Sequence, residues 1–220
     1  VSGWRIDYQA IGRRLRERGI WFCLDAIQTL GAFPLDVECV DFLAADAHKW
    51  LLGPCAAGIL YVRQALQAQL APVVYGWNNV LCPDFVTESA LVLQADARRY
   101  EAGTANLLGL VGLRAALDLI GEVGVDAISA ELLRKRAQLV RALQNRGFSV
   151  LGADAPPPNA SGIATAYVPK TDMAALHRRL LARGTMTSLR MDRAGQNYLR
   201  FSPHFYNTDA ELDRAVEAMS

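Results

Sequence analysis

The chain has 220 residues, 52% of them hydrophobic and 20% charged, with 23 basic and 22 acidic side chains and a formal charge of +1. That balance excludes a long-range pull on nucleic acid or an anionic membrane. No run is apolar for long enough to span a bilayer, and no signal-peptide pattern opens the sequence. Cys23, Cys39, Cys55 and Cys82 stand singly, which fits a reducing, cytoplasmic compartment and argues against a structural zinc site. His48, His177 and His204 are too scattered to suggest a metal triad.

In chain order, Asp7 is placed to cap a helix with Ile11 and Leu15 in an apolar stripe on one face, and Gly19 ends it. Ile20 to Leu24 reads as an interior strand, and Val40 to Ala45 reads the same way. Gly58 to Arg63 follows a Gly-Pro turn and is expected to pair antiparallel. Three strand candidates are few for a parallel α/β layer, so an N-terminal portion of the large domain is expected to be missing or to arrive as a separate chain. Residues 66–100 form a mixed connecting region, in which "PVVYGWNNV" has the most structured pattern.

The pattern turns helical from Thr104, through Leu107, Leu110, Leu113 and Leu117, and again from about Val125 to Arg146. Three consecutive prolines make 152–162 a loop. Strands are expected at Ile163–Val168, Thr185–Leu189 and Tyr198–Ser202, antiparallel to one another. Asp172 starts the intervening helix. Thr208 and Glu211 form a capping box for the last one, which buries Leu212, Ala215, Val216 and Met219. The basic clusters Arg13-Arg14 and Arg134-Lys135-Arg136 are expected to be solvated helix faces. The fold class expected is α/β, an incomplete, mostly parallel large domain with its connecting region over 1–100, followed by a small α+β domain over 101–220.

The chemistry gathers at "ADAHKW". A lysine closing an interior strand is expensive to bury unless its amine does more than carry a solvated charge. Asp25 follows the first strand, where open α/β sheets present their ligand-binding loops, and Gln28 lies one helical turn on. An acid, an amide and Lys49 at adjacent strand ends suit pyridoxal phosphate. The amine can form an imine with the cofactor's aldehyde, a carboxylate can keep the pyridine nitrogen protonated, and Gln28 can donate to the ring oxygen. On spacing alone, Asp25 as a loop cap and Lys49 as a surface lysine remain open.

The stretches "CLDAIQTLGAFPLDV", "DFLAADAHKWLLGP", "YEAGTAN" and "YLRFSPHFYNTDAELD" are similar, in order, to the signatures of class V, fold-type I pyridoxal-phosphate enzymes. That family includes aminotransferases, cysteine desulfurases, kynureninases and related epimerases. The resemblance implies pyridoxal 5'-phosphate as cofactor, Lys49 as Schiff-base lysine and Cα proton shuttle, Asp25 at the pyridine nitrogen and Gln28 at the ring oxygen. It implies His48 in the phosphate and lysine surroundings, and Thr104 reaching the phosphate of a neighbouring subunit's cofactor in a homodimer. Arg200 would clamp the α-carboxylate of an amino-acid substrate, a task that suits a bidentate guanidinium.

Two departures bear on the phosphate end. Asp46 stands where desulfurases have a phosphate-donating Ser, so it must turn elsewhere, stay protonated or leave the phosphate to other groups. "GPCAAG" puts Ala56 where a Gly is usual, at a cost if the backbone needs positive φ. Desulfurases also carry a nucleophilic cysteine shortly before the carboxylate-binding arginine, and "GTMTSLRMDRAGQNYLRF" has none. The resemblance therefore favours an aminotransferase over a desulfurase. An epimerase, a kynureninase-like or β-eliminating lyase, and a non-catalytic half that needs a partner chain are the alternatives.

Overall fold

The computed structural model describes residues 2–81 and 90–219. They form two compact units, Tyr8–Val123 and Val1–Asp7 with Gly124–Ser220.

The first unit opens with α1 (Tyr8–Glu17), which ends at Gly19 with φ +65°. Its contact is made by Gly12, where a Cβ would lie 2.3 Å from the carbonyl oxygen of Cys39. Gly12 is the buried residue of this helix, while the side chain of Ile11 is exposed, contrary to the expected stripe. The strands β1 (Cys23–Asp25), β2 (Phe42–Asp46) and β3 (Gly58–Val62) form one sheet in that order. β1 pairs parallel to β2, and β3 pairs antiparallel to β2, as the Gly-Pro turn suggested.

One sheet face buries Leu43 and Ala45 with Ala26 and Val40. The other presents Cys23, Asp25, Ala44 and Leu60 to solvent. β1 is therefore not the interior strand expected. Among the described residues it pairs on one side only, and Ile20 and Trp21 before it are half exposed. Asp41 staples one end of the sheet, accepting from the backbone N–H of Phe22 just before β1 at 2.9 Å and from Nε of Arg63 just after β3 at 3.0 Å.

The loop from β2 to β3 is held by paired backbone bonds, from Ala47 N to the Ala57 carbonyl (2.8 Å) and from Gly53 N to the Ala47 carbonyl (2.9 Å). Ala56 adopts φ +60°, the left-handed region that its Cβ disfavours. The Asn106 side-chain amide secures the Ala56 carbonyl at 3.0 Å. Asn106 also accepts from Gly109 N at 3.0 Å, in the manner of an N-cap, so α2 (Leu107–Val123) starts three residues after the expected Thr104. Leu113 of α2 packs on Ala47 and Ala57, so this helix belongs with the sheet, although the sequence grouped it with residues 101–220. Relief of the backbone strain predicts that Ala56→Gly raises stability by about 1 kcal/mol, read as a higher midpoint in urea unfolding.

In the connecting region the fully buried Asn79 organises "PVVYGWNNV". Its amide donates to the carbonyls of Val74 (2.8 Å) and Arg99 (3.2 Å), and its oxygen accepts from Gly76 N (2.9 Å).

The second unit holds α3 (Val125–Asn145), β4 (Ser149–Val150), β5 (Ala164–Tyr167), α4 (Met173–Ala182), β6 (Ser188–Met191), β7 (Asn197–Phe201) and α5 (Asp209–Glu217). Its sheet runs β4-β5-β7-β6, antiparallel throughout. Leu139, Leu143, Leu180, Leu199, Leu212 and Val216 knit the three helices to it. The Asp172 cap and the Thr208–Glu211 capping box form as expected. β6 starts later than expected, because Gly184 at φ +74° and the bond from Thr185 N to the Leu180 carbonyl extend the turn closing α4.

One basic cluster is not a solvated face. Arg136 is buried and donates to the carbonyl of Ile163, and Lys135 is buried against the Glu131 carboxylate. The proline loop is tied by Asn159, which exchanges hydrogen bonds with Arg5 at 2.8 and 2.9 Å.

Candidate active site

Parallel pairing of β1 and β2, with Asp25 opposite Ala44, delivers the turns that follow both strands to the same end of the sheet. Asp25 is exposed at that end, and one of its oxygens accepts from Ile27 N at 3.0 Å. After β2 the chain turns through Ala47 and His48 to the half-buried Lys49 and the buried Trp50. The two turns are joined directly, because the Trp50 indole N–H donates to Gln28 Oε1 at 2.9 Å. Gly31 allows this close approach. A Cβ there would sit 2.7 Å from the Trp50 carbonyl oxygen.

Asp25, Gln28, His48 and Lys49 thus come from neighbouring turns at one end of the sheet. A groove of about 600 Å³ runs along the open sheet face from there, lined by Asp25, Ala44, Asp46, Leu60, Tyr100 and Glu101 among others. Lys49, His48 and Gln28 lie outside its walls. Tyr100 and Glu101 were not singled out from sequence. Tyr100 is placed by its hydroxyl, which donates to the carbonyls of Gln67 (3.3 Å) and Leu70 (3.2 Å), contacts that carry no local sequence pattern.

Asp46 turns to His48, its carboxylate 3.1 Å from Nδ1. The His48 hydrogen bond holds the Asp46 carboxyl below its ordinary range, and of the options the sequence left for this acid, turning elsewhere is the one its geometry takes. Its other oxygen is buried with no hydrogen-bond partner among the described residues. Thr104 is exposed in the loop before α2, beside a second cleft lined by Ala56, Gly58 and Asn106.

Arg200 lies in the other unit, on β7, paired with Thr165 and Ser188. Burial first, and then the charge of Arg190, lower its pKa, and its Nε is buried without a hydrogen-bond partner among the described residues. His177 is not simply solvated, because Nε2 lies 3.0 Å from the Thr187 carbonyl. His204 is buried in a turn, where Nδ1 accepts from Phe205 N at 2.9 Å and the ring stacks on Tyr206. Cys23 and Cys55 are exposed and Cys39 is buried, while Cys82 lies outside the described residues. Among the described residues, no group of side chains could hold a metal ion and no helix is long and apolar enough to cross a membrane.

The chain is similar to several known proteins. A probable cysteine desulfurase of Methanothermobacter thermautotrophicus is 28% identical, over 97% of this chain and 56% of its own length. An uncharacterized aminotransferase of Bacillus subtilis is 29% identical, over 100% of this chain and 56% of its own. The cysteine desulfurase of Thermococcus onnurineus, solved in its apo form, shares the fold with a TM-score of 0.89 at 23% identity, covering 99% of this chain and 56% of that one. The chain spans about half the length of the curated relatives it matches. Desulfuration stays open, because a probable cysteine desulfurase is among the relatives and the lack of a cysteine before Arg200 does not exclude that activity. The pattern of the family Aminotransferase class-V matches residues 1–215, and the chain belongs to that family.

Proposed function

We propose that this chain carries the lysine-bearing part of a pyridoxal-phosphate enzyme that acts on an amino acid, with transamination as its reaction. The observation that carries this reading is the joining of the Asp25–Gln28 turn to the Lys49 turn at one end of a parallel strand pair, through the Trp50–Gln28 hydrogen bond. The donor set fits the ring end of the cofactor: a carboxylate, an amide and an amine. When bound, pyridoxal phosphate supplies an electron sink for the substrate's Cα. Asp25 would hold a proton at the pyridine nitrogen, and Gln28 would donate its N–H to the ring oxygen. Lys49 Nζ would anchor the cofactor covalently, then take the proton from the substrate's Cα and deliver it to the cofactor's C4′ carbon.

At the phosphate end Asp46, as an anion, cannot donate. Its pairing with His48 takes up Nδ1, so His48 would reach the phosphate only through Nε2 and donate there only as imidazolium, with Thr104 contributed by a second copy of the chain. Arg200 would bind the substrate α-carboxylate. Transamination is preferred to desulfuration because the segment before Arg200 lacks a nucleophilic thiol. The sites here lie in a protein that works as a homodimer in a reducing, cytoplasmic setting.

The test is to mix the chain with pyridoxal 5'-phosphate, reduce with borohydride and map the modified lysine by mass spectrometry. A pyridoxyl group on Lys49, absent in Lys49→Ala, supports the reading. Modification of the exposed Lys170 to the same extent as Lys49 would reject it. Parallel detection of keto acid, sulfide and racemised product from a panel of amino acids then separates transamination from its rivals.

A further inference from the structure

We propose that Trp50 is a positioning residue, which dictates which end of the Gln28 amide faces the site; the inference rests on the cofactor reading above. A primary amide presents an acceptor on one side and two donor hydrogens on the other, and in isolation its two orientations are close in energy. The indole nitrogen has only a hydrogen to give. With Trp50 Nε1 at 2.9 Å, the atom facing it must be the amide oxygen, since the alternative would set two donors against each other. The NH2 group is thereby held as the end that can serve a ligand, and it can only donate there.

The surroundings make this orientation firm. Trp50 is 5% exposed, so its ring is clamped by packing rather than by the hydrogen bond alone. Its carbonyl lies against Gly31, on the same segment as Gln28, so the backbone and the side chain of Trp50 both register the two turns. Flipping the amide would set the indole donor against an amide donor in place of this donor–acceptor pair. The same tryptophan directly follows Lys49. One residue therefore ties the amine to the group that receives the cofactor's ring oxygen, across 22 positions of sequence.

The test has two arms. In the full chain without cofactor, the Trp50 indole N–H resonance is identified by its loss in Trp50→Phe and followed in ¹⁵N-resolved spectra of Gln28→Ala. The resonance should move and its hydrogen exchange faster with solvent; an unmoved signal would overturn the proposal. In the chain loaded with pyridoxal 5'-phosphate, the ratio of the visible to the near-ultraviolet cofactor band is compared at fixed neutral pH. Trp50→Phe should shift that ratio in the same direction as Gln28→Ala, by roughly three- to tenfold, because the donor to the ring oxygen is no longer held in place. A merely structural tryptophan would lower the amount of cofactor bound and leave the ratio unchanged, which would also overturn it. A wild-type chain that binds no cofactor, yet whose indole signal still answers to Gln28→Ala, would defeat the cofactor reading and leave the amide-orienting role standing.

Discussion

Replacing Glu131 by alanine is expected to destabilise the second unit by about 3 kcal/mol, measured by chemical unfolding at neutral pH, because it strips a buried lysine of its counter-charge. Lys135 is 2% exposed, and Glu131, one helical turn earlier on α3, holds its ammonium. Glu131 also takes a two-pronged contact from Arg134, whose remaining reach goes to Asp209 at the start of α5. Removing the carboxylate leaves Lys135 buried and unpaired and loosens α3 from α5. The double change Glu131→Ala with Lys135→Met should recover most of the loss, since a flexible apolar side chain fits the same space without a charge. A double variant no more stable than the single one would show that the pair is not the cause.

The same carboxylate sets a pH dependence. Hydrogen bonding from Arg134, ahead of the contribution of Lys135, pulls Glu131 from its ordinary 4.5 to about 2 in the folded chain. The group is depressed on folding, so its contribution is fully present above pH 4.5 and fades as pH falls from 4.5 through about 2. Acid titration of the wild type against Glu131→Gln should therefore show the wild-type advantage narrowing across that window. A gap that stays constant down to pH 2 would remove Glu131 from the acid response.

The features legible in the sequence were those whose physics is local. The antiparallel return of β3 follows from a Gly-Pro turn, and the capping box on α5 from two side chains three residues apart. The illegible ones depend on partners far along the chain. Arg136 looks like a solvated basic residue until the carbonyls of Gly152 and Ile163 come to meet it. Gly12 looks like a weak point in an amphipathic helix until Cys39 is seen against it. β1 reads as interior because it is apolar, whereas the described residues cover only one of its faces. At the candidate site, spacing alone related Asp25 to Gln28, and strand order related both to Lys49. The Trp50–Gln28 bond joins two turns whose residues give no sign of each other in one dimension. The Asp46–His48 contact is local, but whether the acid would pair or stand free depended on the path of the turn.

Arg200→Met is expected to move stability and substrate binding in opposite directions. The guanidinium is half-buried on β7, its Nε lacks a hydrogen-bond partner among the described residues, and Arg190 repels it from the next strand. Register explains the repulsion. Ser188 lies opposite Arg200, and Arg190, two residues on, shares its face as a diagonal neighbour. Each of these features disfavours the charged side chain in the ligand-free fold, and an unsatisfied buried donor costs about 1–3 kcal/mol. Methionine keeps the apolar stem and discards the charge, so unfolding should shift to higher denaturant by about 1 kcal/mol. A carboxylate ligand reverses the balance, because it satisfies the stranded donor and offsets Arg190 together. Affinity for α-carboxylate amino acids should accordingly fall about a hundredfold in Arg200→Met, and less in Arg200→Lys, which keeps charge without the planar fork. Amino-acid amides, lacking the carboxylate, should bind the variant and the wild type alike. If Arg200→Met loses stability and binds carboxylates normally, the arginine is a packing residue of the sheet, and the role of substrate clamp passes to another cation.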